Sequence, residues 1–241
     1  MRNVTKLRIP IIILVMILLL VQYHIFSSIQ VHDDSSSRKF LYTGQNCRHM
    51  YSIHELDVVF EAHQREWAAM GEDNAWWSVL TDPKYKNLAD IPEEDKDNFF
   101  ASAGATAKRI KKLFELYNIP LTCTNGLDFG AGVGRLSQMM VNDLGCKHVV
   151  AVDQSLPHLK IAAKEARRKG LSGRIAFNQT GVDLLKTLNG QQFDLFISFI
   201  VFQHMVPPLQ VAYLEQICDA MVSVCPPHQQ MSKGQAPFIL I

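Results

Sequence analysis

Short apolar runs alternate with amphipathic stretches along the second half of the chain. Runs of this length are typical of buried strands, and apolar residues at helical spacing between them indicate helices. Strands are predicted over residues 125–129, 148–152, 174–178, 193–199 and 237–241. Helices are predicted over residues 105–117, 135–143, 157–169, 182–188 and 208–224. The alternation predicts an α/β fold with a doubly wound, Rossmann-like, mostly parallel sheet, whose ligand crevice lies at the carboxyl ends of the strands.

A different pattern occupies the N-terminus, where an apolar run at residues 9–26 follows a short basic tail, residues 1–8. With its few polar interruptions the run just reaches the length of a spanning helix. No clear small-residue cleavage site follows it, so an uncleaved signal anchor is favoured over a cleaved signal peptide and secretion. The basic tail is then cytoplasmic, and the rest of this single-pass membrane protein lies in the ER or Golgi lumen.

The segment between the anchor and the sheet divides into two parts. Residues 27–40 are polar and serine-rich, as in a flexible stem. Residues 41–104 are predicted to be a helical lead-in, with a helix near residues 57–70 and a loop or helix start at residues 91–97. Three apolar side chains are expected to anchor the lead-in on the domain, with a substrate-facing lid as the alternative: Trp76, Trp77 and Leu80.

The charge balance argues against nucleic acid as a partner. The chain has 24 basic and 23 acidic residues, whereas a nucleic-acid-binding domain usually carries a basic excess. The five cysteines lack the spacing of metal ligands, so no metal is expected. Cys123, Cys146 and Cys218 are expected to be small buried residues, although an oxidising lumen leaves pairing of some cysteines open.

The clearest chemical signal is a glycine-rich turn after the first predicted strand. Gly130, Gly132 and Gly134 stand at alternate positions, Asp128 precedes them, and Asp153 ends the next apolar run. A strand, a tight turn, a helix and a second strand with a terminal carboxylate together hold an adenosine through its ribose hydroxyls. Asp128 would repel a pyrophosphate, so a ligand with a cationic end is favoured over a dinucleotide, and an NAD-dependent oxidoreductase is the less favoured enzyme class.

Three segments resemble motifs of the class I S-adenosylmethionine-dependent methyltransferases, in particular bacterial-type small-molecule or glycan methyltransferases. They are LDFGAGVGR at residues 127–135, VVAVDQS at residues 149–155 and FDLFISFIVFQHM at residues 193–205. The resemblance implies S-adenosylmethionine as the cofactor and methyl transfer as the activity. It implies cofactor contacts at Asp128, Phe129, Gly130, Ala131, Gly132, Gly134, Asp153, Gln154 and Ser198.

Two assignments within this resemblance are less direct. The acid expected after the third strand is displaced here, so Val182 and Asp183 are candidates for the adenine contact, with capping of the next helix as the alternative for Asp183. His204 is the candidate general base, with a structural hydrogen bond as its alternative role.

The resemblance also sets expectations for the whole protein. Two strands that usually complete the sheet are missing after residue 241, so the domain at residues 105–241 is expected to be truncated. The predicted function is membrane-anchored methylation of a glycan or another small-molecule hydroxyl. A catalytically silent S-adenosylmethionine-binding module or a truncated isoform is the alternative. The glycosylation sequon at Asn178 is expected to stay unmodified because it falls beside the cleft.

Overall fold

The computed structural model describes residues 53–86, 90–222 and 238–240. The predicted tail, anchor and stem, and the first part of the lead-in, lie outside the described residues. Within the described part of the chain, every helix is too short or too polar to cross a membrane.

A five-stranded parallel sheet forms the centre of the fold, in the order β3-β2-β1-β4-β5. The strands are β1 Asn125–Phe129, β2 His148–Asp153, β3 Ile175–Gln179, β4 Leu195–Ile197 and β5 Phe238–Leu240. The chain runs outward from β1 to β3 and then returns to the other side of β1 at β4. The predicted doubly wound parallel sheet is therefore confirmed, and its switch point lies between β1 and β4.

Helices surround this sheet and build the lead-in. They are α1 Ile53–Asp73, α2 Ala75–Val79, α3 Glu93–Ala101, α4 Gly104–Leu116, α5 Arg135–Asn142, α6 Leu156–Arg168, α7 Leu184–Leu188 and α8 Pro207–Ala220. The stretch at residues 91–97 is mostly helical, because α3 begins with three acidic residues that interact favourably with its N-terminal dipole. The predicted helix at residues 57–70 is longer than expected and corresponds to α1.

Apolar side chains fill both faces of the sheet. One cluster, which includes Ile110, Met140 and Val149, packs beneath α4 and α5. The other, which includes Phe196 and Tyr213, packs beneath α8 and α1. This two-sided burial explains why the strands are continuous apolar runs rather than alternating ones.

A third apolar cluster holds the lead-in against the domain. Trp76 is fully buried, with its ring centroid 5.1 Å from that of Phe99 in an edge-on arrangement. Trp77 and Leu80 are half-buried against the same cluster. The predicted anchoring of the lead-in by these three side chains is confirmed by this packing.

Cys123 and Cys146 are buried, as predicted, and they form a disulfide, the pairing that the sequence left open. The physical reason lies in the sheet register, which pairs Asn125 with His148. Each cysteine precedes its strand by two residues, so the parallel register brings the two side chains together. Cys218 is half-buried rather than buried.

Candidate active site

A cavity opens at the carboxyl ends of β1, β2 and β4, where the strand order reverses. The space between its walls, counted out to the open solvent, is about 710 Å³. Its walls come from α1, α2, the glycine turn, the end of β2, the loop after β4 and α8. The lining side chains and backbone belong to His63, Trp67, Ser78, Val79, Phe129, Gly130, Gly132, Asp153, Gln154, His158, Thr180, Phe199, Ile200, Val201, His204, Met205 and Tyr213.

The glycine turn is pinned to β2 and shaped by left-handed backbone. The N–H groups of Gly130 and Ala131 both donate to the Val152 carbonyl, at 2.8 and 3.0 Å. Gly130 has a φ of +76° and Gly132 a φ of +53°, where a side chain is disfavoured. A Cβ at Gly132 would also lie 2.5 Å from Val79 Cγ2. The turn therefore needs glycine for two reasons: its backbone is left-handed, and the Val79 side chain approaches it closely. The bare backbone of the turn forms a narrow cradle.

Asp153 is held in a fixed orientation on the cavity wall. Its Oδ2 accepts the Gly132 N–H at 2.8 Å, and its Oδ1 accepts the Ser155 N–H at 2.8 Å. A carboxylate oxygen has two lone pairs, so each oxygen keeps acceptor capacity for a ligand hydroxyl. The side chain is thus oriented in advance to accept two neighbouring hydroxyl groups, as a ribose presents them.

Asp128 and Ser198 lie behind this wall rather than on it. The Asp128 carboxylate is buried and accepts the Ser137 hydroxyl at 2.5 Å, which ties β1 to α5. The Ser198 hydroxyl donates to the Phe129 carbonyl at 3.0 Å and ties the end of β4 to β1. Both side chains support the turn region, and direct contact of either with a cofactor stays a prediction.

The remaining predicted residues are divided between the cavity and its surroundings. Phe129 and Gln154 line the cavity. Gly134 has a φ of +81° and begins α5 next to Ala162, whose Cβ lies 3.1 Å from the position of an added Cβ. Val182 is buried, and its carbonyl accepts from Gln216 at 2.9 Å. Asp183 is exposed and accepts the Lys186 N–H at 2.9 Å, so it caps α7 as its alternative role predicts.

Burial raises the pKa of the Asp128 carboxyl to about 6, against the opposing effect of the Ser137 hydrogen bond. Between pH 4 and 6 the folded protein then binds more protons than the unfolded chain, so stability falls as pH rises through this window. Asp128→Asn is expected to remove this loss, worth about 3 kcal/mol at pH 7. Urea unfolding from pH 4 to 8 measures this effect. The free energy of unfolding of the wild type minus that of the variant should fall between pH 4 and 6. A constant difference would contradict the prediction.

Gly130 and Gly145 form a matched pair, because both have a left-handed backbone, with φ of +76° and +78°. A Cβ at Gly130 would collide with Val201, whereas a Cβ at Gly145 would meet open space. Gly145→Ala is therefore expected to lower the free energy of unfolding, measured in urea, by about 1–2 kcal/mol, because alanine disfavours the left-handed backbone. Gly130→Ala should lose clearly more and should weaken ligand binding, and equal losses in both variants would contradict the steric argument.

Sequence reasoning missed the contribution of α1 to the cavity. His63 spans the opening: its Nε2–H donates to the His204 carbonyl at 2.6 Å, and its Nδ1 lies 3.0 Å from the Gln154 amide nitrogen. Trp67, one turn later, packs edge-on against the His204 ring, with centroids 5.4 Å apart. The spacing of His63 and Trp67 is the only sequence signal, since residues four apart share one face of a helix.

His158 was also missed, and it fastens the lead-in to the end of β2. Its ring nitrogens lie 2.7 Å from the hydroxyls of Ser155 and Ser78. The Ser155 hydroxyl in turn donates to the Trp67 carbonyl at 3.0 Å. Burial lowers the pKa of His158, against the charge of Asp153, so the neutral ring is favoured. Because Ser155 also donates its N–H to Asp153, this buried network connects α1 and α2 to the carboxylate on the wall.

Residues 127–223 match the family model described as a methyltransferase domain. No curated protein sequence matches this chain significantly. Solved structures with a similar fold include the methyltransferase domain of bacterial CtHen1, at 16% identity and a TM-score of 0.39, covering 48% of this chain and 59% of that one. Magnesium protoporphyrin IX methyltransferase from Synechocystis PCC 6803 with bound S-adenosylmethionine has 16% identity and a TM-score of 0.46, covering 66% and 72%.

Phosphoethanolamine N-methyltransferase 1 from Haemonchus contortus, in complex with phosphoethanolamine and S-adenosylhomocysteine, has 15% identity and a TM-score of 0.47, covering 69% of this chain and 30% of that one. The chain thus spans 59% of the first of these structures and 30% of the third.

The family match covers the glycine turn, Asp153 and the loop after β4, which carry the three predicted motifs. It confirms the predicted family and, with it, S-adenosylmethionine as the cofactor. Residues 127–223 of this chain therefore match a methyltransferase domain, the family that the three motifs predicted.

Proposed function

We propose that this chain is an active methyltransferase that methylates a small-molecule hydroxyl with S-adenosylmethionine. The observation that carries the proposal is Asp153, fixed by two backbone N–H groups beside a glycine turn with no room for a Cβ. A carboxylate that accepts ribose hydroxyls and a cradle of bare backbone suit a nucleoside with a cationic tail. The residues present therefore fit this cofactor.

The reaction needs positioning more than it needs protein chemistry. When bound, S-adenosylmethionine supplies a sulfonium methyl: the acceptor oxygen forms a bond to this carbon, the carbon–sulfur bond breaks with its electron pair going to sulfur, and the hydroxyl proton leaves. Asp153 holds the nucleoside end of the cavity, and the loop after β4 borders the acceptor end. His204 lies on the cavity wall near the acceptor end, where its ring can accept the proton. That role stays a prediction.

Calorimetric titration of the full-length chain tests the proposal. S-Adenosylmethionine and S-adenosylhomocysteine should bind, and NAD should bind at least about tenfold more weakly. A preference for NAD would contradict the assigned cofactor. Transfer of a labelled methyl group from S-adenosylmethionine to a panel of hydroxyl acceptors then separates an active enzyme from a silent binding module, because a silent module binds the cofactor and labels no acceptor.

We also propose that the domain faces an oxidising lumen behind an N-terminal membrane anchor. The disulfide between Cys123 and Cys146 supports this location, since such bonds persist in the secretory pathway and are rare in the cytosol. The apolar run at residues 9–26 after a basic tail supports the anchor. Protease protection of the chain in sealed microsomes tests the topology, and digestion of the domain without detergent would place it in the cytosol.

The disulfide is expected to stabilise the domain by about 3 kcal/mol, because it closes a loop of 23 residues in the unfolded chain. Chemical unfolding with and without a reductant measures this difference. In the double variant Cys123→Ala, Cys146→Ala, stability should be lower and should not respond to the reductant. Equal stability of the oxidised and reduced wild-type proteins would contradict the prediction.

A further inference from the structure

The acceptor end of the cavity is largely apolar, whereas the cofactor end carries the Asp153 carboxylate. Its walls are largely apolar or aromatic, from α1 on one side and the loop after β4 on the other: Trp67, Phe199, Ile200, Val201 and Met205. Two imidazole rings, His63 and His204, complete it. His63 already uses both ring nitrogens to bridge Gln154 and His204.

The loop after β4 keeps apolar side chains at the opening. Phe199 is 36% exposed and Ile200 is 55% exposed. Ile200 also has a φ of +60°, a conformation that a β-branched residue rarely adopts. Disfavoured backbone of this kind persists where the surroundings fix it, and it concentrates at ligand sites. Here Ser198 is fixed to Phe129 by its hydroxyl, and Phe202 stacks on Phe129 with centroids 5.5 Å apart. The loop is thus fastened at both ends while its apolar side chains stay open to solvent.

On the α1 side of the cavity, the packed rings of Trp67 and His204 form an aromatic surface. Trp67 is half-buried and meets the His204 ring at an interplanar angle of 71°. Aromatic side chains at a cavity bind flat apolar groups through area burial and ring packing. On the opposite wall, the Asp153 carboxylate repels a second negative charge brought into the same cavity.

Resting on the proposed methyltransferase function, we propose that the acceptor is an uncharged molecule with a flat apolar body that carries the hydroxyl to be methylated. The apolar body packs between Trp67 and the Phe199–Ile200–Val201 loop, and the hydroxyl faces the cofactor methyl. The acceptor oxygen gains the methyl, its proton leaves to solvent or to a neighbouring ring nitrogen, and sulfur takes the electron pair of the broken bond. Phosphorylated and carboxylated acceptors are disfavoured because their charge would be desolvated between these apolar walls.

Equilibrium dialysis of the full-length chain saturated with S-adenosylhomocysteine tests this assignment with matched probes. 2-Naphthol and 2-naphthyl phosphate share one ring system and differ in charge, and methyl β-D-glucopyranoside represents a neutral sugar. We expect 2-naphthol to bind at least about tenfold more tightly than either of the other probes. Trp67→Ala should weaken 2-naphthol binding at least about tenfold, and Trp67→Phe should retain most of it. Leu116→Ala, an exposed apolar change on α4, should change nothing and corrects for nonspecific uptake of 2-naphthol.

Equal or tighter binding of the phosphate or of the glucoside would overturn the assignment and leave the methyltransferase function intact. The same holds if S-adenosylhomocysteine binds but 2-naphthol does not, or if Trp67→Ala binds 2-naphthol as well as the wild type does. Failure of S-adenosylhomocysteine itself to bind would instead contradict the proposed function, and the acceptor assignment with it.

Discussion

Asp153→Ala is expected to weaken the binding of S-adenosylhomocysteine by about a hundredfold. A charge-assisted hydrogen bond contributes about 1.5–3 kcal/mol, which is one to two decades in affinity. The substitution also leaves the N–H groups of Gly132 and Ser155 without their acceptor, so the glycine turn loses its support. Isothermal titration calorimetry measures the change in Kd, at a temperature where circular dichroism shows the variant to be folded.

Asp183→Ala provides the matched control for this prediction. Asp183 also accepts a backbone N–H, from Lys186, but it caps α7 and lies off the cavity wall. Its loss is expected to cost about 1 kcal/mol of stability and to leave the Kd unchanged. A comparable loss of affinity in both variants would favour Asp183 as an adenine contact. An unchanged Kd in Asp153→Ala would refute the ribose-binding role of that carboxylate.

Glu165→Gln is expected to lower the free energy of unfolding by about 4 kcal/mol. The Glu165 side chain is only 1% exposed and lies 2.6 Å from Arg168 Nε and 3.8 Å from Lys96 Nζ. Lys96 is itself buried, so removing the carboxylate leaves a buried cation with only its solvent-facing partners, Asp90 and Glu93. Breaking a buried ion pair on one side costs about 3–5 kcal/mol, which lowers Tm by roughly 6–20 °C in a domain of this size.

Asp97→Asn distinguishes burial from charge pairing in the same network. Asp97 pairs with Arg168 at 3.0 Å and with Lys169 at 2.7 Å, but its side chain is 57% exposed. Exposed ion pairs contribute little, so Tm should hardly change. Differential scanning calorimetry of the two variants tests the comparison. Similar shifts in Tm would mean that the network, rather than the buried carboxylate, stabilises the contact between α3 and α6.

The parts of the fold that depend on local pattern could be predicted from the sequence. The strands and helices of the sheet follow from apolar runs and periodicity, and the turn follows from glycine at alternate positions. Asp153 could be placed because a residue at the end of a parallel strand lies at the crevice whatever its neighbours are.

The orientation of Asp128 shows where the same reasoning stopped short. Side chains alternate between the two faces of a strand. Phe129 faces the cavity, so Asp128 faces α5, where Ser137 binds it. The disulfide had a comparable signal, namely two cysteines at the same offset before two adjacent parallel strands. Both features followed from register, which the sequence alone did not fix.

The residues of the lead-in depended on packing that no local pattern encodes. His63 meets Gln154 from 91 positions away, and Ser78 meets His158 from 80 positions away. A histidine on a helix carries no information about a partner at such a distance. The contacts that the lead-in makes at the cavity could therefore not be predicted from the sequence. Hydrophobicity did predict that Trp76 anchors the lead-in on the domain.

The bridge made by His63 has a consequence for how this protein can diversify. The sheet and its turn contribute the nucleoside end of the cavity, whereas α1, which precedes the sheet in the chain, contributes the tryptophan wall. On the proposed assignment, substitutions on the half-buried face of α1 around Trp67 alter which acceptor binds, while Asp153 and the glycines of the turn stay unchanged. Selectivity then depends on the lead-in together with the loop after β4, and a change on α1 also reaches the donor end of the cavity through the contact of His63 with Gln154.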